Sequence, residues 1–225
     1  MSHSPAAVHE HPAHAPHHDE PRHDEPRRPW TVLALMLMAQ FMVILDVSVV
    51  NVALPSIGTA LSFSSGDYQW AVSAYVLMSG GLLLLGGRLA DLFDRRTMFL
   101  TGVGLFTAAS LVSATASSAL TLVLSRGAQG MGAAMLTPSA LAIIVTTYAG
   151  RQRATALAIW GTIGSMGIAA GVLLGGLLTS SLGWRSIFFV NVPIGIVAAV
   201  LTLRLVARGH AVAHRRSLDV PGAVT

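Results

Sequence analysis

The most informative stretch of the sequence is residues 30–57, which read WTVLALMLMAQFMVILDVSVVNVALPSI. This stretch contains a single ionisable side chain, Asp46, inside an otherwise almost uninterrupted apolar run. A hydrocarbon core of about 30 Å is crossed by roughly 20 apolar residues in a helix. Residues 30–57 therefore predict a membrane-spanning helix.

Five further stretches have the same length and apolar character: 68–89, 97–116, 120–147, 154–180 and 187–205. The polar breaks between them are short, so consecutive helices should be antiparallel neighbours. A membrane β-barrel would instead show alternating strands of about 10 residues. The sequence predicts an all-α membrane protein, with a bundle of six transmembrane helices over residues 30–207.

The composition excludes several other classes of protein. Hydrophobic residues make up 53% of the chain and charged residues only 11%, whereas a soluble domain carries roughly a quarter charged. Without cysteine there is no disulfide framework and no thiolate metal site. The basic residues are all arginine and lie scattered between apolar runs, which argues against a nucleic-acid partner.

The two ends of the sequence differ from its middle. Residues 1–29 are rich in His, Pro, Arg and acidic residues and predict a disordered cytoplasmic tail. Residues 208–225 predict a cytoplasmic linker. The tail holds His9, His11, His14, His17 and His18, which could coordinate Zn²⁺ or Ni²⁺. A flexible tail preorganises no ligand set, so we predict incidental disorder there, with metal sensing as the alternative, and no bound metal or cofactor.

The arginines predict the orientation in the bilayer. One side of the predicted bundle would carry twelve of the fourteen: Arg22, Arg27, Arg28, Arg88, Arg95, Arg96, Arg151, Arg153, Arg204, Arg208, Arg215 and Arg216. The opposite side would carry only Arg185, and Arg126 lies within a span. Cytoplasmic loops are enriched in arginine and lysine. We therefore expect a multi-pass protein of the plasma or inner membrane with both termini in the cytoplasm.

Two charged residues lie deep within the spans. At a rise of 1.5 Å per residue, Asp46 should lie roughly 24 Å from the cytoplasmic end of its helix. Arg126 enters from the other side and should lie roughly 21 Å from the same face. Charges at this depth usually face a cavity or a partner. We expect the two side chains to share one polar cavity; the alternative is that each is a structural charge, satisfied by backbone carbonyls or water.

Other polar and small residues are candidates for the same region. Gln40, Asn51, Gln129 and Tyr75 could line the cavity that Asp46 and Arg126 share. In the fifth span the glycines Gly167, Gly171 and Gly175, with Gly176 beside them, recur on one helix face. Small residues at this spacing let helix backbones approach closely. Tight packing and a moving hinge are both consistent with that spacing.

The sequence gives no sign of an enzyme. All nine histidines lie in the predicted tails, so no histidine base is available within the spans. Lysine is absent, so a glycine-rich phosphate loop with its lysine is absent too.

Four stretches resemble motifs of one family. They are LDVSVVNVALP (45–55), GRLADLFDRR (87–96), RGAQGMG (126–132) and the glycine-rich 167–176, with Trp184, Arg185, Asn191 and Pro193 at the start of the sixth span. Together they resemble the major facilitator superfamily, specifically the fourteen-helix drug:proton antiporter branch (EmrB/QacA type). The resemblance covers residues 30–225 and fits the N-terminal half of such a transporter.

This resemblance implies a function and assigns candidate residues. It implies proton-coupled efflux of small amphipathic or cationic compounds, with the lipid bilayer, protons and a small-molecule substrate as partners. Asp46, Arg126, Asn51, Gln129 and Tyr75 would form the proton-coupling and substrate cavity. The cytoplasmic gating loop would use Gly87, Asp91, Arg95 and Arg96, and the antiporter-like motif Gly167, Gly171, Gly175 and Gly176.

The resemblance also has departures. The loop motif has glycine where this chain has Asp94, at a site we expect to need a positive φ. The antiporter motif has proline where this chain has Val172. The chain resembles only one of two transporter halves, and LDVPGA (218–223) resembles the start of a seventh helix. We therefore expect a truncated half that lacks its C-terminal partner; the alternatives are a six-helix protein that homodimerises and a non-functional remnant.

Overall fold

The computed structural model describes residues 29–206, apart from the side chain of Asp91. The predicted histidine-rich tail and the predicted linker with its seventh-helix start fall outside the described residues. Seven helices follow one another between these limits: α1 (Pro29–Leu61), α2 (Ser65–Leu92), α3 (Arg95–Ala114), α4 (Ala119–Thr147), α5 (Gly150–Leu182), α6 (Ser186–Phe189) and α7 (Asn191–Leu205).

Six helical segments in this part of the chain are long and apolar enough to cross a membrane, with α6 and α7 forming the sixth. This confirms the predicted all-α fold. The helices extend beyond several of the predicted spans: α1 continues past Pro55 to Leu61, and α5 begins at Gly150. Hydropathy alone predicts breaks at their polar ends, whereas the helical backbone hydrogen bonding continues through them.

Polar side chains cap the starts of three helices. Ser64 and Asp67 form a reciprocal capping box at the start of α2. The hydroxyl of Ser118 accepts a hydrogen bond from the Thr121 backbone N–H at the start of α4. Asp94 does the same for α3, accepting from the Thr97 backbone N–H at 3.1 Å and from the Thr97 hydroxyl at 3.0 Å.

The expectation that residue 94 needs a positive φ is wrong. Asp94 has φ −61° and ψ 123°, an extended conformation that any residue adopts. The turn between α2 and α3 is short because Asp94 itself serves as the N-cap of α3. Aspartate is one of the preferred residues at that position, so its presence here is explained by capping.

The sixth span is interrupted near its start. The hydrogen-bonding pattern of α6 ends at Phe189, and α7 begins two residues later at Asn191. Pro193 has no N–H to donate to the carbonyl of Phe189, one turn earlier, which accounts for the interruption. Val190 keeps helical dihedral angles (φ −60°, ψ −33°), so the chain direction is preserved.

Helix α4 lies against both α2 and α3, and glycines allow the close approach. A Cβ on Gly130 would stand 2.5 Å from the carbonyl oxygen of Tyr75 in α2. A Cβ on Gly132 would stand 2.7 Å from the backbone nitrogen of Phe106 in α3. On the other side of the bundle, α5 packs against α1. Apolar side chains cover much of the outward face of α5, including Leu173 at 75% exposure.

Contacts between helix ends fix which ends lie together. Arg96 at the start of α3 donates to the carbonyl of Leu203 near the end of α7 at 2.9 Å, and the Tyr148 hydroxyl donates to the carbonyl of Pro29. We call this the arginine-rich end. At the opposite end, Arg185 donates to the carbonyl of Ala116 at 3.1 Å and lies over the Trp184 ring.

Candidate functional site

A buried ion pair lies in the interior of the bundle. Nη1 of Arg126 in α4 donates to Oδ2 of Asp46 in α1 at 2.5 Å. The two residues are only 2% and 1% exposed. One apolar cluster surrounds Met36 and Phe99 and another surrounds Ile57 and Phe188, and the pair lies at the junction between them. The depths estimated from the sequence thus correspond to direct contact.

Gln129 connects this pair to α3. Its Nε2 donates to Oδ1 of Asp46 at 3.1 Å and to the Ser110 hydroxyl at 2.8 Å. Its Oε1 accepts from Nη1 of Arg126 at 2.9 Å, and the Ser113 hydroxyl lies 3.4 Å from it. Both ends of the Gln129 amide are therefore held, which fixes its orientation.

Two further helices complete the surroundings. From α7, Nδ2 of Asn191 donates to Oδ1 of Asp46 at 2.7 Å. From α2, the ring of Tyr75 lies 4.4 Å from the guanidinium carbon of Arg126, a cation–π contact. The carbonyl of Ala71 accepts from Nε of Arg126 at 3.4 Å. We call these six side chains the polar cluster: Asp46, Tyr75, Ser110, Arg126, Gln129 and Asn191.

In the polar cluster Asp46 of α1 binds α4 and α7 directly, and Arg126 and Gln129 of α4 extend the network to α2 and α3. Three donors, from Arg126, Gln129 and Asn191, converge on Asp46. In a low-dielectric interior a charge is tolerated only when it is paired and hydrogen-bonded in this way. Addition of a proton to Asp46 would remove the charge that holds these donors. The packing of α1 against α4 and α7 is therefore tied to the charge of one carboxylate.

Sequence reasoning missed Asn191 and Ser110 as members of the polar cluster. The depth of Asn191 in the membrane was a usable signal. Asn191 lies about 8 Å from the start of the sixth span, and Arg126 lies at a similar depth, about 10 Å from the start of α4. Both helices begin at the same side of the bundle. Ser110 carries no comparable signal, since serine is common within membrane helices.

Two expected cavity residues lie elsewhere. Asn51 is exposed and its Nδ2 donates to the carbonyl of Val47 in its own helix at 2.8 Å. Asn51 follows Asp46 by five residues, so it points away from the ion pair by more than a third of a turn. Gln40 accepts from the Thr137 hydroxyl at 3.2 Å and lies six residues before Asp46 in α1.

Asn51 instead lines an open groove between α1 and α5. The groove has a volume of about 550 Å³ and is almost entirely apolar. Its walls are built from Val43, Ile44, Val47, Ser48, Asn51, Val52, Ile168 and Val172. Val172 occupies the position where the antiporter motif has proline, so this departure faces the groove and α5 runs through it unbroken.

The glycine motif of α5 divides into two parts. Gly167, Gly171 and Gly175 are buried against α1, where a Cβ on Gly171 would stand 2.5 Å from Cβ of Ser48. The Ser48 hydroxyl reinforces this contact by donating to the carbonyl of Ile168 at 2.9 Å. A Cβ on Gly176 would meet nothing within 4 Å. Close packing to α1 thus involves three of the four predicted glycines.

The residues predicted for the gating loop lie at the arginine-rich end. Gly87 belongs to the last turns of α2, and a Cβ there would meet nothing within 4 Å. Arg95 and Arg96 begin α3, and Arg96 binds the end of α7. The side chain of Asp91 lies outside the described part of the chain. The predicted loop is therefore mostly helix, with a turn at Phe93 and Asp94.

Comparison with known proteins agrees with this architecture. The chain is 44% identical to the cephamycin export protein CmcT of Amycolatopsis lactamdurans, over 86% of the chain and 40% of the relative. It is 44% identical to the puromycin resistance protein pur8 of Streptomyces alboniger, over 88% of the chain and 39% of the relative. It is 42% identical to the multidrug resistance protein Stp of Mycobacterium tuberculosis (strain CDC 1551 / Oshkosh), over 72% and 30%. The chain thus spans 30–40% of the length of these relatives.

Solved structures show the same fold. The crystal structure of a bacterial homolog to the human lysosomal transporter Spinster, inward-facing and unoccupied, matches with a TM-score of 0.70 at 24% identity. The match covers 82% of this chain and 45% of that one. The Major Facilitator Superfamily profile matches residues 36–220. With six apolar spans and these relatives, the chain is a multi-pass membrane protein and belongs to the Major Facilitator Superfamily.

Proposed function

We propose that the chain forms one helical half of a transporter that exports small amphipathic or cationic compounds in exchange for protons. The ion pair of Asp46 and Arg126, buried in the middle of the apolar bundle, is the observation that carries the proposal. Ionisable side chains inside membrane spans are costly and commonly mark proton or ion pathways. The relatives named for cephamycin export and for puromycin and multidrug resistance support a small-molecule substrate.

Protonation of Asp46 is the proposed coupling step. A proton from the extracellular side converts the carboxylate to a carboxyl, which no longer attracts Arg126. The packing of α1 against α4 then weakens, and the protein returns to its cytoplasm-facing state without substrate. Loss of the proton to the cytoplasm restores the ion pair and the state that accepts a new substrate molecule.

The groove between α1 and α5 is the proposed substrate surface of this half. Its aliphatic walls suit an apolar ligand of varied shape, and the exposed Asn51 offers one polar group that can orient it. Val47, which lines the groove, is the next residue in α1 after Asp46. A shift of α1 caused by protonation would therefore move the groove, together with α5, relative to the rest of the bundle.

We propose that a second helical half completes the transporter, supplied by a longer gene product or by a second copy of the chain. Transporters of this fold bind substrate between two six-helix halves that rock against one another. This chain provides six spans and about 40% of the length of CmcT. We propose the plasma or inner membrane as its location, with the arginine-rich end in the cytoplasm because loops on that side are enriched in arginine.

The size of the gene product distinguishes the possible sources of the second half. We expect a blot of native membranes to give a band about twice the 23.5 kDa of this sequence. A band at 23.5 kDa that migrates as a dimer in mild detergent would instead favour assembly from two copies.

Vesicle transport tests the proposed coupling. The complete gene product is reconstituted with a pH gradient, and export of ethidium, a planar apolar cation, is followed by fluorescence. Asp46→Asn keeps the shape of the side chain but cannot take a proton, so gradient-driven export should be lost. Asp67→Asn makes the same chemical change in the capping box of α2 and should retain export. Full export by Asp46→Asn would refute the proposal.

A further inference from the structure

Asn191 has an unusual hydrogen-bonding environment in the polar cluster. The residue is fully buried at the first position of α7, and its Nδ2 donates to Asp46. Its Oδ1 is buried as well and has no hydrogen-bond partner within the described residues 29–206. Buried polar atoms are almost always paired, so an unpaired amide oxygen beside an ionisable carboxylate requires an explanation.

The two amides around Asp46 differ in their freedom to turn. Gln129 is held at both ends, by Ser110 and Asp46 at Nε2 and by Arg126 at Oε1. Asn191 has Asp46 as its one hydrogen-bond partner among the described residues, so no third group fixes which end of the amide faces the carboxylate. A half-turn about its Cβ–Cγ bond would exchange donor for acceptor without breaking any other hydrogen bond.

A protonated Asp46 needs an acceptor that its other neighbours do not offer. Arg126 carries donors alone. The Oε1 of Gln129 already accepts from Arg126. The groups in the described chain that can carry a charge and face Asp46 are Arg126 from α4 and, behind it, Tyr75 from α2. The neighbouring groups of α3 and α7, Ser110 and Asn191, are neutral.

We propose that Asn191 is a positioning residue that serves both protonation states of Asp46, an inference that rests on the proposed proton coupling. When Asp46 is ionised, Nδ2 of Asn191 donates to Oδ1. When Asp46 has taken a proton, the amide turns and its Oδ1 accepts the new O–H. Arg126 then keeps its hydrogen bonds to Gln129 and to the carbonyl of Ala71. The proton stays on Asp46 throughout, and α7 remains bound to α1 while the ion pair with α4 opens.

Infrared difference spectroscopy of the complete gene product in lipid tests this directly. The acid-minus-neutral spectrum contains the C=O stretch of each carboxyl that takes a proton, and the band of Asp46 is the one that Asp46→Asn removes. In Asn191→Leu the O–H loses its acceptor, so this band should move to higher wavenumber. Thr202→Val is the matched control, because Thr202 is buried in the same helix and its hydroxyl donates within α7 to Ala198. It should leave the band in place.

A second variant covers the case in which Asn191→Leu does not fold. Asn191→Asp keeps the shape and an acceptor oxygen, and it places a second carboxyl beside Asp46. Its oxygen can accept the O–H of Asp46, so the Asp46 band should stay close to its wavenumber in the unmodified protein. An Asp46 band moved to higher wavenumber, as for an O–H without an acceptor, would overturn the inference.

The outcomes separate this inference from the proposed function. A band that keeps its wavenumber in Asn191→Leu would overturn the role of Asn191 and leave proton coupling intact. The absence of any Asp46-dependent carboxyl band across the pH range of coupled transport would overturn proton coupling itself, and the inference with it.

Discussion

The two faces of α1 hold their neighbours in different ways. One face carries Asp46, which binds α4 and α7 through charge and hydrogen bonds. The other face carries Ile44, Ser48 and Val49, which contact the glycines of α5 through close packing. In the proposed mechanism the first kind of contact depends on the charge of Asp46, whereas the second depends on side-chain volume alone. Protonation would therefore loosen α1 from α4 and leave α1 and α5, with the groove between them, as a unit.

The largest effect should come from breaking the ion pair on one side only. Arg126→Leu leaves a buried carboxylate without its countercharge, which costs about 3–5 kcal/mol. The double variant with Asp46→Leu and Arg126→Leu removes both charges and should recover most of the thermal stability. It should not recover gradient-driven export. Thermal unfolding in detergent, together with vesicle transport, measures both properties. A double variant as unstable as Arg126→Leu would contradict this.

A methyl group on the glycine face should have the next largest effect. In Gly171→Ala the new Cβ would stand 2.5 Å from Cβ of Ser48 and 3.2 Å from the carbonyl oxygen of Leu45. Overpacking of this kind costs about 1–3 kcal/mol. Gly176→Ala is the matched control, because its new Cβ would contact no described neighbour. The higher helix propensity of alanine should therefore stabilise this variant by up to about 1 kcal/mol. Equal melting temperatures for the two variants would argue against the close contact between α1 and α5.

Removal of Gln129, which connects Asp46 to α3, should have an intermediate effect on stability. Gln129→Leu takes away one donor to Asp46 and one donor to the Ser110 hydroxyl, which keeps its own hydrogen bond to the carbonyl of Phe106. Loss of buried hydrogen bonds of this kind costs about 1–3 kcal/mol. Export should fall but persist, because Asp46 and Arg126 remain. Complete loss of export with normal folding would assign Gln129 a more direct role in coupling.

The smallest effect should come from the cap of α3, which lies far from both faces of α1. Asp94→Ala removes the cap at a cost of about 1 kcal/mol, whereas Asp94→Gly costs only a few tenths. Thermal unfolding distinguishes them. A clear stabilisation by Asp94→Gly would revive the requirement for a positive φ that the structure does not show.

Hydropathy was sufficient to predict the fold. Six apolar runs separated by short breaks dictate six antiparallel spans, because a helix is the simplest structure that satisfies its backbone within a bilayer. The exact ends of the helices were harder to predict from hydropathy. Polar residues such as Ser65 and Arg95 lie inside helices whose starts are set by caps, and hydropathy does not register caps.

The depth of each residue in the membrane predicted part of the site. The rest was determined by the direction in which each side chain points from its helix axis. The rise per residue put Asp46 and Arg126 at the same level, and the structure joins them. The sequence also placed Asn51 in the cavity with them, but rotation along α1 turns Asn51 into the groove. Asn191 lies at a suitable depth, but the motif that contains it does not indicate which way its side chain points. Pairwise contacts in the bundle need both depth and rotation.

Proton release on substrate binding tests the central claim most directly. The purified gene product is mixed with ethidium in weakly buffered solution, and a pH indicator reports the protons released. The account predicts release from the unmodified protein and none from Asp46→Asn, because in the proposed mechanism Asp46 exchanges its proton for substrate. Equal proton release from both proteins, with ethidium bound, would contradict it.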